Sequence, residues 1–272
     1  MFPVGTLIPP MNLTATLTGQ NLTNVSLRWD LALNDGSAAN HVTRYEVFRG
    51  SGFYDPDGNG YLKIGTAPNG TSSFIDTGKG EGNPEDYFFI VCAVDSWNNT
   101  ACGSDQAAKF TRPLSKGRNL VSIPLIQSNE SIQTVLQTVS FDNAWSFDPI
   151  NQEWKSFMKS KPYAGTLEYV NHTMGFWVNV TEDSNLTVAG VVPTVTTVNL
   201  QAGWNLVGFP SFDDNYTVAD LKAMVAVERI EGFDALASPC FLRVLTDGDF
   251  LQAGFGYWIR VGLETSWTVS NS

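Results

Sequence analysis

Histidine is almost missing from these 272 residues: only His41 and His172 occur, far apart and without the spacing of a metal-ligating pair. No Ser-His-Asp constellation can be assembled from two such histidines, and no Gly-x-Ser-x-Gly elbow is present. Gly-rich runs such as Gly78-Lys-Gly-Glu-Gly82 lack the Lys-Ser/Thr ending of a phosphate loop. Carboxylate pairs such as Asp213-Asp214 lie in polar stretches where adjacent acids are ordinarily just solvated. The chain is therefore expected not to be an enzyme. Charge is also scarce (16%), positive charge most of all: 16 Lys and Arg stand against 27 Asp and Glu, for a net −11. That balance argues against a nucleic-acid backbone or an anionic bilayer as partner. No stretch approaches the roughly 20 apolar residues of a membrane span, so insertion of this segment into a bilayer is not expected. The opening decapeptide has neither the basic region nor the apolar run of a signal peptide. Residues 1–9 read as an extension or linker, and Met1 as the start of a processed piece whose signal and anchor lie elsewhere.

What is plentiful is Gly, Asn, Thr, Val, Phe and Trp, the usage of turn-rich β folds. The length suits two or three small domains, each with its own core. Asn-x-Ser/Thr sequons stand at Asn12, Asn21, Asn24, Asn69, Asn98, Asn129, Asn171, Asn179, Asn185 and Asn215. One sequon is usually unused, but ten together point to a glycosylated surface that has passed through a secretory system, archaeal or eukaryotic. The three cysteines fit an extracellular location. Cys92 and Cys102 have nine residues between them, a hairpin's separation, and are expected to form a disulfide; Cys240 is left over and is expected to be buried.

Residues 10–113 alternate as strands. Val25, Leu27 and Trp29 share one face, Tyr45 opens a third strand, and Tyr87-Phe-Phe-Ile-Val-Cys-Ala-Val makes a sixth. Trp29 on the second strand, Tyr45 on the third, and Tyr87, Phe89, Val91 and Ala93 on the sixth resemble the pattern of a fibronectin type III domain. The resemblance implies a β-sandwich with those residues inside. Cys92 then points away from the core, and the disulfide staples the last hairpin rather than crossing between sheets. Asp55, Asp57, Asn59 and Gly60 match the opening of a calcium loop, where oxygen ligands alternate before a Gly. Position 12 of that loop is Thr66 instead of Glu, and Asp-Gly and Asn-Gly are ordinary turn formers, so a plain turn is the first reading and calcium the alternative.

The rest of the chain says one thing twice. Asn119-Leu-Val-Ser-Ile-Pro124 returns as Asn205-Leu-Val-Gly-Phe-Pro210, 86 positions on, and Phe147-Asp148 returns as Phe233-Asp234. Gly175-Phe-Trp-Val178 matches Gly256-Tyr-Trp-Ile259 at an offset of 81, and Leu186-Thr-Val188 keeps that offset against Trp267-Thr-Val269. Two homologous β-rich units are expected, 114–192 and 193–272, each with one short helix (Ser131–Val139 and Thr217–Val225) capped by Ser or Thr. Residues 193–198, rich in Val and Thr, read as a stiff connector or a shared strand. This repeated pattern is similar to tandem repeats in large archaeal and bacterial surface and secreted proteins, which implies a modular role but no chemistry.

Eight tryptophans invite a sugar-binding reading, because an indole face suits the apolar face of a pyranose. Trp29, Trp177 and Trp258 read as core; Trp145, Trp154, Trp204 and Trp267, unshared between the copies, are free for other work. Trp97, at the tip of the disulfide hairpin, is the most exposed ligand candidate. The sequence thus supports a non-catalytic, mainly β, multi-domain fragment of an extracellular cell-surface glycoprotein, S-layer-associated, adhesive or filament-forming. Its partners would be itself, other surface proteins or glycans. The alternative is a spacer or polysaccharide-binding region of a secreted hydrolase whose catalytic domain lies outside this chain.

Overall fold

A computed structural model describes residues 7–36, 42–53, 60–235, 237 and 242–271. The chain divides into two compact units, Met1–Thr111 with Thr187–Val192, and Arg112–Leu186 with Pro193–Ser272. In the first, alternating apolar residues build β1 (Met11–Thr18), β2 (Asn24–Asp30), β3 (Val42–Gly50), β4 (Leu62–Pro68), β5 (Ser73–Asp76), β6 (Tyr87–Asp95), β7 (Thr100–Cys102) and β8 (Ala107–Leu114). Strands β1, β2 and β5 pair antiparallel as one sheet; β8, β6, β3 and β4 form the other in that order, with β7 also on β6. This is a fibronectin type III-like sandwich. Its core holds Leu13, Val25, Leu27, Trp29, Tyr45, Val47, Phe89, Val91 and Ala93, with the Trp29 and Tyr45 rings 5.7 Å apart. The expected inward face of β6 is therefore the observed one. Its other face, Phe88, Ile90, Cys92 and Val94, is buried too, which is why the strand reads as one unbroken apolar run.

Two polar groups lock this core. The Tyr45 hydroxyl donates to Asp35 Oδ2 (2.8 Å) and accepts from the Ala32 amide (3.0 Å), and burial pushes its pKa well above the usual range. Lys109 is fully buried; its ammonium donates to the Asn83 and Glu85 carbonyls (2.6 and 2.5 Å), and burial lowers its pKa to about 8. A buried cation is tolerated only with such partners.

The second unit holds the duplication. Its first copy runs β9 (Gly117–Ser122), α1 (Ile132–Val135), β10 (Phe141–Asp148), β11 (Glu153–Met158), β12 (Gly175–Val180) and into β13 (Ser184–Val191), whose residues 187–191 complete the edge of the first unit. The second runs β14 (Val195–Leu200), β15 (Gly203–Gly208), α2 (Val218–Met224), β16 (Val227–Phe233), β17 (Leu242–Val244), β18 (Gly256–Val261) and β19 (Thr265–Ser270). The two main sheets have the same antiparallel order, β11-β10-β12-β9 and β17-β16-β18-β15. Both helices start at the expected cap: Ser131 accepts from the Thr134 amide, and Thr217 with Asp220 forms a full capping box. The helix α1 is only one turn, shorter than its apolar spacing suggests. Residues 195–200 are a strand, paired along its length with β19. Trp267, Phe209, Val198, Leu200, Leu221 and Ile259 fill the core of the second copy.

An approximate two-fold axis relates the copies inside this unit. The Ser122 amide donates to the Gly254 carbonyl (2.8 Å), and the equivalent Gly208 amide donates to the Thr173 carbonyl (3.0 Å). Single β-bridges join Val121 to Phe255 and, symmetrically, Val207 to Met174. Glycine is required here by proximity: a Cβ on Gly175 would lie 2.5 Å from the Val207 oxygen, and one on Gly256 would lie 2.9 Å from the Val121 oxygen. Arg112 has no symmetric counterpart, since Val198 occupies the equivalent position. It lies 3.6 Å over the Phe255 ring and donates to the carbonyls of Leu120 and Gly254, tying the copies together.

Candidate functional site

Strand alternation puts the aromatic residues of both copies on the sheet faces that meet at this axis. In the first copy Trp145 stands opposite Trp177, and Phe147 opposite Trp154, in adjacent antiparallel strands. In the second, Glu231 and Leu206 flank Trp258, and Phe233 stands opposite Leu242. The two faces touch at the small residues Ser122, Gly175, Gly208 and Gly256. Away from them an open cleft of about 390 Å³ remains, lined by Phe147, Trp154, Trp177, Trp204, Trp258 and Leu242 with Glu231. It lies beside a lobe of about 420 Å³ lined by Arg118, Trp145, Trp154 and Trp177. Such volumes and such an aromatic lining, with a few polar groups, are those of small-molecule sites.

The rings hold one another edge to face. Trp154 and Trp258 are 5.6 Å apart at 72°, Trp204 and Trp258 6.1 Å at 88°, and Trp177 and Phe233 4.8 Å at 71°. Tilted pairs of this kind fix ring orientation while leaving indole faces uncovered. Trp154 is 52% exposed, and Trp145, Trp177, Trp204 and Trp258 are half-buried. The charged rim differs between the halves. Glu231 is tied to Arg229 (2.6 Å) and Arg260 to Glu228 (3.1 Å), while Arg118 makes no ion pair among the described residues.

The reading of Trp177 and Trp258 as core is corrected by this geometry. They recur in both copies because both line the symmetric cleft. Trp267, read as free, is fully buried; its counterpart Leu186 is buried as well, so the position is core with a different side chain in each copy. The Trp267 indole N–H donates to the Tyr216 hydroxyl (3.0 Å), which satisfies its one polar atom. Trp145, Trp154 and Trp204 do lie in the cleft, and what their sequence positions did not show is that they converge there.

Trp97 is 66% exposed at the tip between β6 and β7. The Asp95 carboxylate shapes that turn by accepting from the amides of Trp97 (2.8 Å) and Asn99 (2.9 Å). Cys92 and Cys102 are direct cross-strand partners and are joined by a disulfide. None of the ten sequon asparagines is buried. The Nδ2 of Asn12 donates to Asp30 (2.7 Å), and that of Asn179 to Asp142 (2.8 Å). Asp55, Asp57 and Asn59 of the calcium alternative, together with His41 and Cys240, lie outside the described residues. Among the described residues no cluster of three or more His, Cys, Asp or Glu could hold a metal ion, and no helix is long and apolar enough to cross a membrane.

No protein-family model matches the chain, and no curated protein matches it. Among solved structures it is similar to an Fn3-like protein from Clostridium thermocellum, at 21% identity over 39% of this chain and 91% of that one, with a TM-score of 0.29. It is also similar to the FN1–FN3 domains of chicken CNTN1, at 12% identity over 97% of this chain and 99% of that one, with a TM-score of 0.23. Likenesses this distant leave the chain's function to be argued from its own residues.

Proposed function

We propose that this chain is a non-catalytic, extracellular binding module of a cell-surface glycoprotein, and that its adhesive contact is a carbohydrate held in the tryptophan cleft. The observation that carries the reading is the convergence of five indoles from two copies onto one open face. Exposed indole faces are costly to leave in water, and they suit the apolar face of a sugar ring. The disulfide supports an oxidising compartment, and the sequons, none of them buried, support passage through a secretory system.

The same cleft favours a second reading, the polysaccharide-binding region of a secreted hydrolase whose catalytic domain is outside this chain. Calorimetric titration of the full chain with neutral and acidic oligosaccharides tests the binding shared by both readings. Binding that is lost in Trp154→Ala supports it; a panel on which no saccharide binds removes it. Ordered self-assembly of the bound protein would favour the cell-surface reading over the hydrolase one.

A further inference from the structure

The axis that relates the copies allows their cleft-lining residues to be compared position by position. Trp177 matches Trp258 and Phe147 matches Phe233, but three positions have diverged: Arg118 stands where the other copy has Trp204, Trp145 where it has Glu231, and Trp154 where it has Leu242. The two ends of the cleft therefore differ. One half gathers Phe147, Trp154, Trp204 and Trp258 with the Glu231 carboxylate already neutralised by Arg229. The other half presents Arg118, with Lys116, beside Trp177, Phe233 and Leu242.

Most cations of this unit are engaged. Lys155, Lys222, Arg229, Arg243 and Arg260 each pair with a carboxylate, and Arg112 is held by carbonyls and a ring. Arg118 and Lys116 form no ion pair among the described residues, nor do Lys159 and Lys161, which do not line the cleft, in a chain whose net charge is −11. At the Lys116 backbone the amide donates to Asp183 (2.8 Å). A guanidinium left unpaired next to three indoles is a fork shaped for a carboxylate on a ring-bearing ligand.

Resting on the carbohydrate reading above, we infer that the cleft takes a short acidic saccharide. The carboxylate of a hexuronate meets Arg118, with Lys116 nearby, and the sugar ring lies along Trp145, Trp154 and Trp177. The ligand is short because the chain's overall negative charge repels a long polyanion beyond the reach of these two cations.

The test uses the full chain and three triuronates (galacturonate, glucuronate and mannuronate), each as free acid and as methyl ester, followed by tryptophan fluorescence and calorimetry. The ester keeps the ring and removes only the charge. At least one free acid should bind ten-fold or more tighter than its ester, and that preference should shrink as salt rises. In Arg118→Gln the acid should fall to the level of its ester, with Lys116→Gln giving a smaller fall in the same direction. Arg118 is an exposed strand residue, and an unchanged far-ultraviolet spectrum confirms that the variant folds. Acids and esters binding wild type equally overturns the acidic preference while leaving the carbohydrate reading standing. Failure of all six, with neutral oligosaccharides binding, also overturns it, and failure of every saccharide overturns both.

Discussion

The two-fold relation between the copies can be tested by exchanging two residues across it. Ser122 and Gly208 occupy the same position in the two copies and face each other at the axis. A Cβ on Gly208 would lie 2.6 Å from the Ser122 Cβ and 3.0 Å from the Met174 oxygen, where ordinary contact begins at 3.4 Å. Only one of the two positions has room for a side chain. Gly208 does not have a positive φ, so a side chain there meets no backbone strain. Overpacking of this kind costs about 1–3 kcal/mol, so Gly208→Ser should destabilise the second unit by about 2 kcal/mol. Ser122→Gly loses the bond from Ser122 Oγ to the Phe255 oxygen (2.9 Å) and adds backbone freedom, together about 1–2 kcal/mol. The double variant should be more stable than the sum of the two losses allows. In the double variant the 2.6 Å contact with the Ser122 Cβ is gone; the 3.0 Å approach to the Met174 oxygen remains, but a hydroxyl at position 208 can donate to that oxygen as Ser122 does to that of Phe255, so stability should return to within about 1 kcal/mol of wild type. The coupling energy is then about 2–3 kcal/mol. Urea denaturation followed by tryptophan fluorescence measures it directly, because six of the eight tryptophans lie in this unit. Additive losses in the double variant would refute the axis.

Three further outcomes follow from the buried groups. Trp267→Ala should cost about 3–5 kcal/mol in denaturation, as large-to-small changes in a full core do, whereas Trp154→Ala at its exposed site should cost less than about 1 kcal/mol. Tyr45, Tyr216 and Tyr257 all have pKa values raised chiefly by burial, that of Tyr257 to about 12. Their neutral forms are favoured when folded, so their contribution to stability is complete below pH 10 and is lost as pH rises through the folded values. Phenolate absorbance of the native protein at pH 10.5 should accordingly miss Tyr45 and Tyr257 until denaturant is added. Reduction of Cys92–Cys102, which closes a short loop, should lower stability by about 2–3 kcal/mol in the first unit alone, read by differential scanning calorimetry with and without reductant.

How much of this was legible in the sequence depended on which force decided each feature. The sandwich strands were legible because alternation and burial agree at Trp29, Tyr45, Phe89 and Val91, and the disulfide because Cys92 and Cys102 are separated by a hairpin's length. The duplication was legible as repeated residues. What repetition could not say is why a residue repeats. Trp177 and Trp258 recur for a shared cleft, while Leu186 and Trp267 differ and are both core. Periodicity assigns residues to a sheet face, but which face meets another sheet is a tertiary fact. Here it hangs on glycines at 175, 208 and 256 and on the backbone atoms they approach. The aromatic cluster was hidden for the same reason, its members being spread from Trp145 to Trp258 and brought together only by rotation about the axis.

In a symmetric homodimer, any substitution at an interface is made in both subunits at once, so a positive group gained on one side appears on the other. Here both partners are encoded in one chain, and each half can be altered alone. Position 118 carries a cation and position 204 an indole, while equivalent contacts are made on both sides of the axis. Covalent fusion thereby turns a surface that would read the same from either end into one with a head and a tail.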